Sequence, residues 1–125
     1  MDPKYRILVV EDEHINRELL KIFLEKQYSL TFAADIDTAE KHVDETPFHL
    51  IITDIRLGNR LDGIKLLQHV REGKINTTTP VVAYTASDTS INQKTFEEEG
   101  FNDFIAKPVI QDEMLEKIAE LIHAK

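Results

Sequence analysis

The amino-acid sequence predicts an α/β protein with a doubly wound parallel sheet. Short runs of branched apolar residues alternate along the chain with stretches whose apolar residues recur at helical spacing. The runs are continuous and do not alternate with polar residues, which is typical of strands buried on both faces of a parallel sheet. Since strands and helices alternate, right-handed crossovers place helices on both faces of the sheet.

The first two strand-helix units are predicted at residues 7–10, 13–26, 29–34 and 37–47. The first strand is an apolar run that ends on the carboxylates of Glu11 and Asp12. The second strand is weaker, and its prediction depends on its content of strand-forming residues. The first helix has apolar residues that we expect to face the sheet: Ile15, Leu19, Leu20, Ile22, Phe23 and Leu24. Asp35 or Asp37 is expected to cap the second helix.

The third unit, predicted at residues 48–53 and 62–73, contains the most distinctive stretch of the chain. Its strand is an apolar run that stops on the carboxylate of Asp54, and Gly58 and Gly63 loosen the chain beyond it. Open α/β sheets bind their ligands at the carboxyl ends of the strands. Asp54 is therefore predicted to be the central functional residue.

The last two units are predicted at residues 80–85, 88–99 and 101–106, with a final helix from residue 112. The fourth strand ends on the hydroxyl of Thr85, and the fifth is followed by Lys107 and Pro108. The helix at 88–99 has few apolar residues, so we expect it to be the least firmly packed.

Composition limits the classes of function. The 125 residues suit a single domain over residues 1–125. A net charge of −8 repels phosphate backbones, so no direct nucleic-acid binding is expected. Cysteine is absent, which excludes disulfides and thiolate chemistry, and the amino terminus has no signal-peptide pattern. These features favour a cytoplasmic protein without a membrane partner.

Polar side chains stand at four strand ends on one edge of the predicted sheet: Glu11, Asp12, Asp54, Thr85 and Lys107. Clustered carboxylates repel one another unless a cation lies among them, and hard oxygen ligands suit Mg²⁺ or Mn²⁺. A lysine and a hydroxyl add the groups needed to hold a phosphoryl group. The reaction that fits is attack by the Asp54 carboxylate on phosphorus, which forms an acyl phosphate.

The chain resembles the response regulator receiver domain, the phospho-acceptor module of two-component signalling, over residues 7–122. The residues that carry the resemblance are Glu11-Asp12, Asp54, Asp62-Gly63, Thr85-Ala86, Phe104 and Lys107-Pro108. The resemblance implies a flavodoxin-like sheet of strand order 2-1-3-4-5 with five helices. It also implies phosphoryl transfer from a sensor histidine kinase or a histidine phosphotransfer protein. The domain would catalyse its own phosphorylation and dephosphorylation and would not be an enzyme in the usual sense.

The resemblance implies a role for each matched position in the acidic pocket. Asp54 would be the phospho-acceptor and a metal ligand, with Asp12 binding the metal directly and Glu11 acting through a metal-bound water. Arg56 would supply its backbone carbonyl oxygen to the ion. The implied cofactor is Mg²⁺, for which Mn²⁺ can substitute.

Further implied roles concern the phosphoryl group and a conformational switch. Thr85 and Lys107 would bind phosphoryl oxygens, and the Lys107-Pro108 peptide is expected to be cis, an isomer that is accessible mainly before proline. Phe104 matches the aromatic switch position. When Thr85 moves toward the phosphoryl group, the Phe104 ring can turn and reshape the face made by the fourth helix, fifth strand and fifth helix.

The chain also departs from the family pattern. Glu11 stands where aspartate is commoner, residues 58–61 make a longer loop after the acceptor, and Phe104 lacks the hydroxyl of the common tyrosine. Arg56 is expected at the mouth of the pocket, where it would affect access of water.

Alternative functions stay open at this stage. A receiver-like module can bind proteins without phosphorylation, but such modules normally lose the acceptor or the lysine, and this chain keeps both. An aspartate-dependent phosphatase is less favoured because Arg56 stands where a second carboxylate is expected. No glycine-rich phosphate loop follows the first strand, which disfavours a nucleotide-binding enzyme. The sequence does not decide the downstream protein partner or whether phosphorylation drives a homodimer.

Overall fold

The computed structural model describes residues 5–55, 62–86, 98–107 and 109–123. The strands are β1 (Tyr5–Val10), β2 (Tyr28–Ala33), β3 (Leu50–Asp54), β4 (Val81–Ala86) and β5 (Asp103–Lys107). The helices over these ranges are α1 (His14–Leu24), α2 (Ile36–Glu45), α3 (Asp62–Glu72) and α4 (Gln111–His123). The helix predicted at 88–99 lies outside the described residues except for Glu98 and Glu99, whose backbone is helical. Within the described ranges, no helix has the length and apolarity needed to cross a bilayer.

The strands form one parallel sheet in the order β2-β1-β3-β4-β5. The predicted doubly wound sheet and its strand order are therefore confirmed. Strand β3 lies at the centre, and every one of its residues is buried, as the continuous apolar run predicted.

Successive residues of the central strands supply two separate cores. Leu8 and Ile51 face the core that α2 and α3 cover, whereas Ile7 and Ile52 face the core that α1 and α4 cover. This division follows from the strand geometry, because neighbouring side chains point to opposite faces of a sheet. All four side chains are almost fully buried, and each such burial stabilises the fold by roughly 1.5–3 kcal/mol.

Strands β3, β4 and β5 each continue one residue beyond their predicted carboxyl ends, and in β3 and β5 the added residue is charged. Strand β3 includes Asp54, whose backbone is paired with Tyr84, and β5 includes Lys107, which is paired with Ala86. The prediction ended these strands at Thr53 and Ala106, directly before the charged residue, but the backbone ladder does not depend on side-chain charge. The acceptor candidate is therefore held by the central strand itself.

The prediction for the buried face of α1 is wrong at two positions. Ile15 is 78% exposed and Ile22 is 64% exposed, whereas Leu20 and Leu24 are fully buried. An α-helix turns by about 100° per residue, so Ile22 lies about 200° around the axis from Leu20. Because Leu20 and Leu24 define the stripe that contacts the sheet, Ile22 must lie on the opposite side. The sequence offers more apolar positions on this helix than one stripe can bury.

A buried asparagine holds the amino-terminal end of the sheet. The Asn76 side chain accepts a hydrogen bond from the Phe48 amide at 2.8 Å and donates to the carbonyls of Val43 and Thr46 at 2.8 and 2.9 Å. The Thr79 hydroxyl donates to the same side chain at 3.0 Å. Asn76 is 3% exposed, so these contacts replace solvent for several buried backbone groups.

Candidate functional site

The register of the sheet brings the polar strand ends to one edge. Val10, which directly precedes Glu11, is paired with Thr53, which directly precedes Asp54. On the other side of β3, the register continues through β4 to Lys107 at the end of β5. The prediction that these strand ends meet therefore agrees with the observed geometry.

Three carboxylates converge at this edge. Glu11, Asp12 and Asp54 each place a ligand oxygen within 4.8 Å of the others. Glu11 is fully buried and Asp54 is 7% exposed, whereas Asp12 is exposed to solvent. Such a set of hard oxygen donors can hold a divalent cation that keeps part of its water shell.

The ammonium of Lys107 lies among these carboxylates. Its Nζ donates a hydrogen bond to Asp54 Oδ2 at 2.7 Å and lies 3.4 Å from Glu11 Oε1. Burial alone would lower the pKa of Lys107, but the hydrogen bond and charge of Asp54, together with Glu11, outweigh burial and raise it. Lys107 is therefore charged at neutral pH, and it balances part of the negative charge of the cluster.

Glu11 has one oxygen whose hydrogen-bonding capacity is unused. Its Oε2 accepts a hydrogen bond from the Glu13 amide at 3.0 Å, but Oε1 is buried and has no hydrogen-bond partner among the described residues. Burial raises the pKa of Glu11, opposed by the Glu13 hydrogen bond and by the charge of Lys107. A buried carboxylate oxygen without a donor fits a metal ion or its bound water, so these residues suit a hard divalent cation.

The backbone of Asp54 is held by its neighbours. The Thr53 hydroxyl donates to the Asp54 carbonyl oxygen at 2.9 Å, and the Gly63 amide donates to the Ile55 carbonyl oxygen at 3.0 Å. A Cβ atom on Gly63 would clash with the Asp54 carbonyl oxygen and lie 2.8 Å from Ile55 Cα. Gly63 therefore does more than loosen the chain, because its lack of a side chain lets α3 begin directly against the backbone of Asp54.

Sequence reasoning missed the contribution of Tyr84. Its ring centroid lies 4.7 Å from Lys107 Nζ, and burial raises the pKa of its phenol to about 12, so the hydroxyl stays protonated at neutral pH. The ring belongs to the core covered by α1 and α4 and is 2% exposed. An aromatic residue near the end of β4, next to the strand that carries Lys107, was the available signal.

The predicted roles of four further site residues stay predictions. Arg56 and Pro108 lie outside the described residues, so the metal-binding carbonyl and the cis peptide stay predictions. The backbone of Thr85 lies in β4, at the same edge as Asp54. Phe104 is partly buried, and its ring centroid lies 5.2 Å from Lys117 Nζ. Its role as a switch also stays a prediction.

Comparison with known proteins gives one consistent family. The sequence matches the model of the response regulator receiver domain over residues 7–119. It is 32% identical over 114 residues to the transcription factor SKN7 of Candida albicans, an alignment that covers 90% of this chain and 20% of that protein. The chain thus spans about a fifth of the length of this relative.

Two solved structures are similar over nearly their whole length. One is the receiver domain of the sensor histidine kinase PA1611 from Pseudomonas aeruginosa, which has a magnesium ion in its active-site cleft. It is 26% identical to this chain with a TM-score of 0.87, and the match covers 97% of this chain and 99% of that one. The receiver domain of Ssk1 from Saccharomyces cerevisiae, solved with the histidine phosphotransfer protein Ypd1, is 30% identical with a TM-score of 0.81. That match covers 97% of this chain and 90% of the other.

Proposed function

Because the chain belongs to the response regulator receiver domain family of two-component signalling, we propose that Asp54 is its phosphoryl acceptor. The observation that carries the proposal is the contact of 2.7 Å between Asp54 Oδ2 and Lys107 Nζ inside a cluster of three carboxylates. A buried nucleophile beside a fixed ammonium and a set of metal-binding oxygens is suited to phosphoryl transfer, in which catalysis is mostly positioning and charge neutralisation.

The proposed reaction forms an acyl phosphate on Asp54. A carboxylate oxygen of Asp54 attacks phosphorus, the bond between phosphorus and the donor histidine nitrogen breaks, and the electron pair stays on that nitrogen. Lys107 moves its hydrogen bond from Asp54 to a phosphoryl oxygen, and Thr85 donates to another. The domain thereby catalyses its own phosphorylation, and hydrolysis of the acyl phosphate returns it to the resting state.

The pocket also calls for a divalent cation, which we propose to be Mg²⁺, with Mn²⁺ as a substitute. Bound there, the ion supplies charge neutralisation between the carboxylates and the incoming phosphoryl oxygens. Asp12 and Asp54 would hold it directly, and Glu11 would hold it through water, in agreement with the buried Oε1 atom, which accepts no hydrogen bond among the described residues. The magnesium ion reported in the similar PA1611 domain supports this choice.

The proposed phosphoryl donor is a sensor histidine kinase or a histidine phosphotransfer protein. The similarity to a receiver domain solved with the phosphotransfer protein Ypd1 supports this class of partner. Such donors obtain their phosphoryl group from ATP, which is present in the cytoplasm, so we place the reaction there. The proposed output is a change at Phe104 and the face around β5, read by a protein partner.

Intact-mass spectrometry after incubation with acetyl phosphate and Mg²⁺ tests the acceptor. We expect a single phosphoryl adduct that does not form when EDTA is added before acetyl phosphate and that is absent from Asp54→Asn. Beryllofluoride with Mg²⁺ should give a matching stable complex in the wild type alone. An equal adduct on Asp54→Asn would assign the acceptor elsewhere, and no adduct under either condition would favour a module that acts without phosphorylation.

A further inference from the structure

Arg17 is joined to the acidic pocket through the backbone of Glu11. It lies in α1 and is partly buried, and its Nη1 donates a hydrogen bond to the Glu11 carbonyl oxygen at 2.9 Å. Its own amide donates to the Glu13 carbonyl oxygen at 3.0 Å, in the first turn of the helix. Arg17 therefore holds the turn between β1 and α1 with its backbone and with its side chain.

Two further groups of Glu11 are also held by hydrogen bonds. Its amide donates to the Ala33 carbonyl oxygen on β2 at 3.0 Å, and its Oε2 accepts from the Glu13 amide at 3.0 Å. The carbonyl held by Arg17 belongs to the planar peptide that joins Glu11 to Asp12. Fixing the orientation of this peptide sets the direction in which Asp12 leaves the strand, and Asp12 is the exposed member of the carboxylate cluster.

We propose that Arg17 is a positioning residue of the metal site: its guanidinium orients the Glu11-Asp12 peptide so that both carboxylates converge with Asp54. This inference rests on the proposed Mg²⁺ site and adds a residue outside the metal ligands. The guanidinium is pre-organised for a directed hydrogen bond to a carbonyl, and a charged donor makes that bond strong. Asp12 lies two residues beyond Val10, where β1 ends, so the direction of the Glu11-Asp12 peptide matters for its position.

A positioning role and a purely electrostatic role of Arg17 predict opposite changes in Mg²⁺ affinity when Arg17 is replaced. A positive charge close to the pocket repels a divalent cation, so its removal should tighten Mg²⁺ binding if only charge matters. Loss of a group that orients the ligands typically weakens metal binding by roughly 10–100-fold. The direction of the change in Mg²⁺ affinity therefore decides between the two roles.

The experiment measures the Mg²⁺ dissociation constant by isothermal titration calorimetry on the full chain, well below the unfolding temperature. We expect Arg17→Ala to weaken binding about 10-fold or more, and Arg17→Lys, which keeps a cationic donor, to restore part of the affinity. Lys21→Ala removes the same charge from an exposed position one turn further along α1, and it should leave affinity within about twofold of wild type.

Thermal unfolding in EDTA separates a general loss of stability from a change at the site. Unchanged or tighter Mg²⁺ binding by Arg17→Ala, with normal binding by the wild type, overturns the role of Arg17 and leaves the proposed function intact. Failure of the wild type to bind Mg²⁺ overturns the metal site and the role of Arg17 together. If Arg17→Ala does not fold, Arg17→Lys and Arg17→Gln carry the comparison, and equal affinity of both to wild type overturns the proposal.

Discussion

Lys107 interacts with three different side chains at the carboxyl edge of the sheet. Its ammonium donates to Asp54, lies near Glu11 and stands over the Tyr84 ring. The sequence was sufficient to predict the group formed by Glu11, Asp54 and Lys107, because parallel strands must end at the same edge. It was insufficient for Tyr84, since the contact depends on the register between β4 and β5 and on which way each side chain points.

Replacement of Tyr84 tests its contact with Lys107. The ring and the ammonium attract each other by roughly 0.5–2 kcal/mol, so Tyr84→Leu should slow phosphorylation by acetyl phosphate about twofold to thirtyfold. Tyr84→Phe keeps the ring and should react within about twofold of wild type. The rates are measured by mass spectrometry on samples of confirmed thermal stability. An equal loss in Tyr84→Phe and Tyr84→Leu would assign the effect to the hydroxyl and contradict the role of the ring.

Helices α1 and α2 show what sequence patterns predict at the scale of an element. The sequence predicted that α2 is capped by Asp35 or Asp37, and the structure selects Asp35, whose Oδ1 accepts a hydrogen bond from the Thr38 amide at 2.8 Å. The existence of α1 was also predicted, and Leu20 and Leu24 are buried as expected, but Ile15 and Ile22 are exposed, since the apolar residues surround much of the helix. Only packing against the sheet decides which of them are buried.

The cap of α2 gives a pH-dependent prediction. The Thr38 hydrogen bond lowers the pKa of Asp35, so the folded state favours the ionised carboxylate. The stabilisation by this carboxylate is fully present above its ordinary pKa of 3.8 and is lost as the pH falls through the lowered pKa. Asp35→Ala should cost roughly 0.5–2 kcal/mol of unfolding free energy at neutral pH, and less in acid. Asp35→Asn keeps the acceptor without the charge. The free energy of unfolding by denaturant, measured against pH, should depend less on pH in Asp35→Asn than in the wild type. An equal pH dependence in these two proteins would contradict the prediction.

Ile15 on α1 gives a prediction about the phosphoryl donor. It is exposed in the first turn of the helix that follows Glu11 and Asp12, so an approaching donor protein can cover it. We expect Ile15→Asp to slow phosphotransfer from a phosphotransfer protein about fivefold or more, while transfer from acetyl phosphate stays unchanged.

The matched control for Ile15 is Ile75→Asp, another exposed isoleucine, which lies in the connection between α3 and β4. It should behave as wild type with both donors. A similar loss in Ile15→Asp with acetyl phosphate would indicate damage to the pocket, and no loss with the protein donor would exclude Ile15 from the contact.

At the scale of the whole molecule, the doubly wound sheet was predictable because continuous apolar runs and alternating helices restrict the architecture strongly. The anchor at the amino-terminal end was not predictable. Asn76 lies in a polar connector, and nothing in a polar stretch distinguishes a buried asparagine from an exposed one. Its burial results from contacts with Phe48, Val43 and Thr46, which are distant in the chain.

Asn76 should affect stability without affecting the pocket. Asn76→Ala leaves the Phe48 amide and two carbonyls without their partner, and we expect a loss of roughly 2–4 kcal/mol in the free energy of unfolding by urea. Thr78→Ala, at an exposed neighbouring position, should change stability by less than about 0.5 kcal/mol. Mg²⁺ affinity of the folded Asn76→Ala protein should equal wild type, and a weaker affinity would show that the two ends of the sheet are coupled.

The hydrogen bond between Lys107 and Asp54 also connects two strands that are not neighbours in the sheet. It ties β5, an edge strand, to the central strand β3 across the intervening strand β4. When the ammonium moves to the proposed phosphoryl group, this hydrogen bond between the two strands is lost. Phe104 lies on the same short strand as Lys107, three residues away. Phosphorylation at the centre of the sheet and the change at Phe104 would then be connected through the backbone of β5, without a chain of contacts through the core.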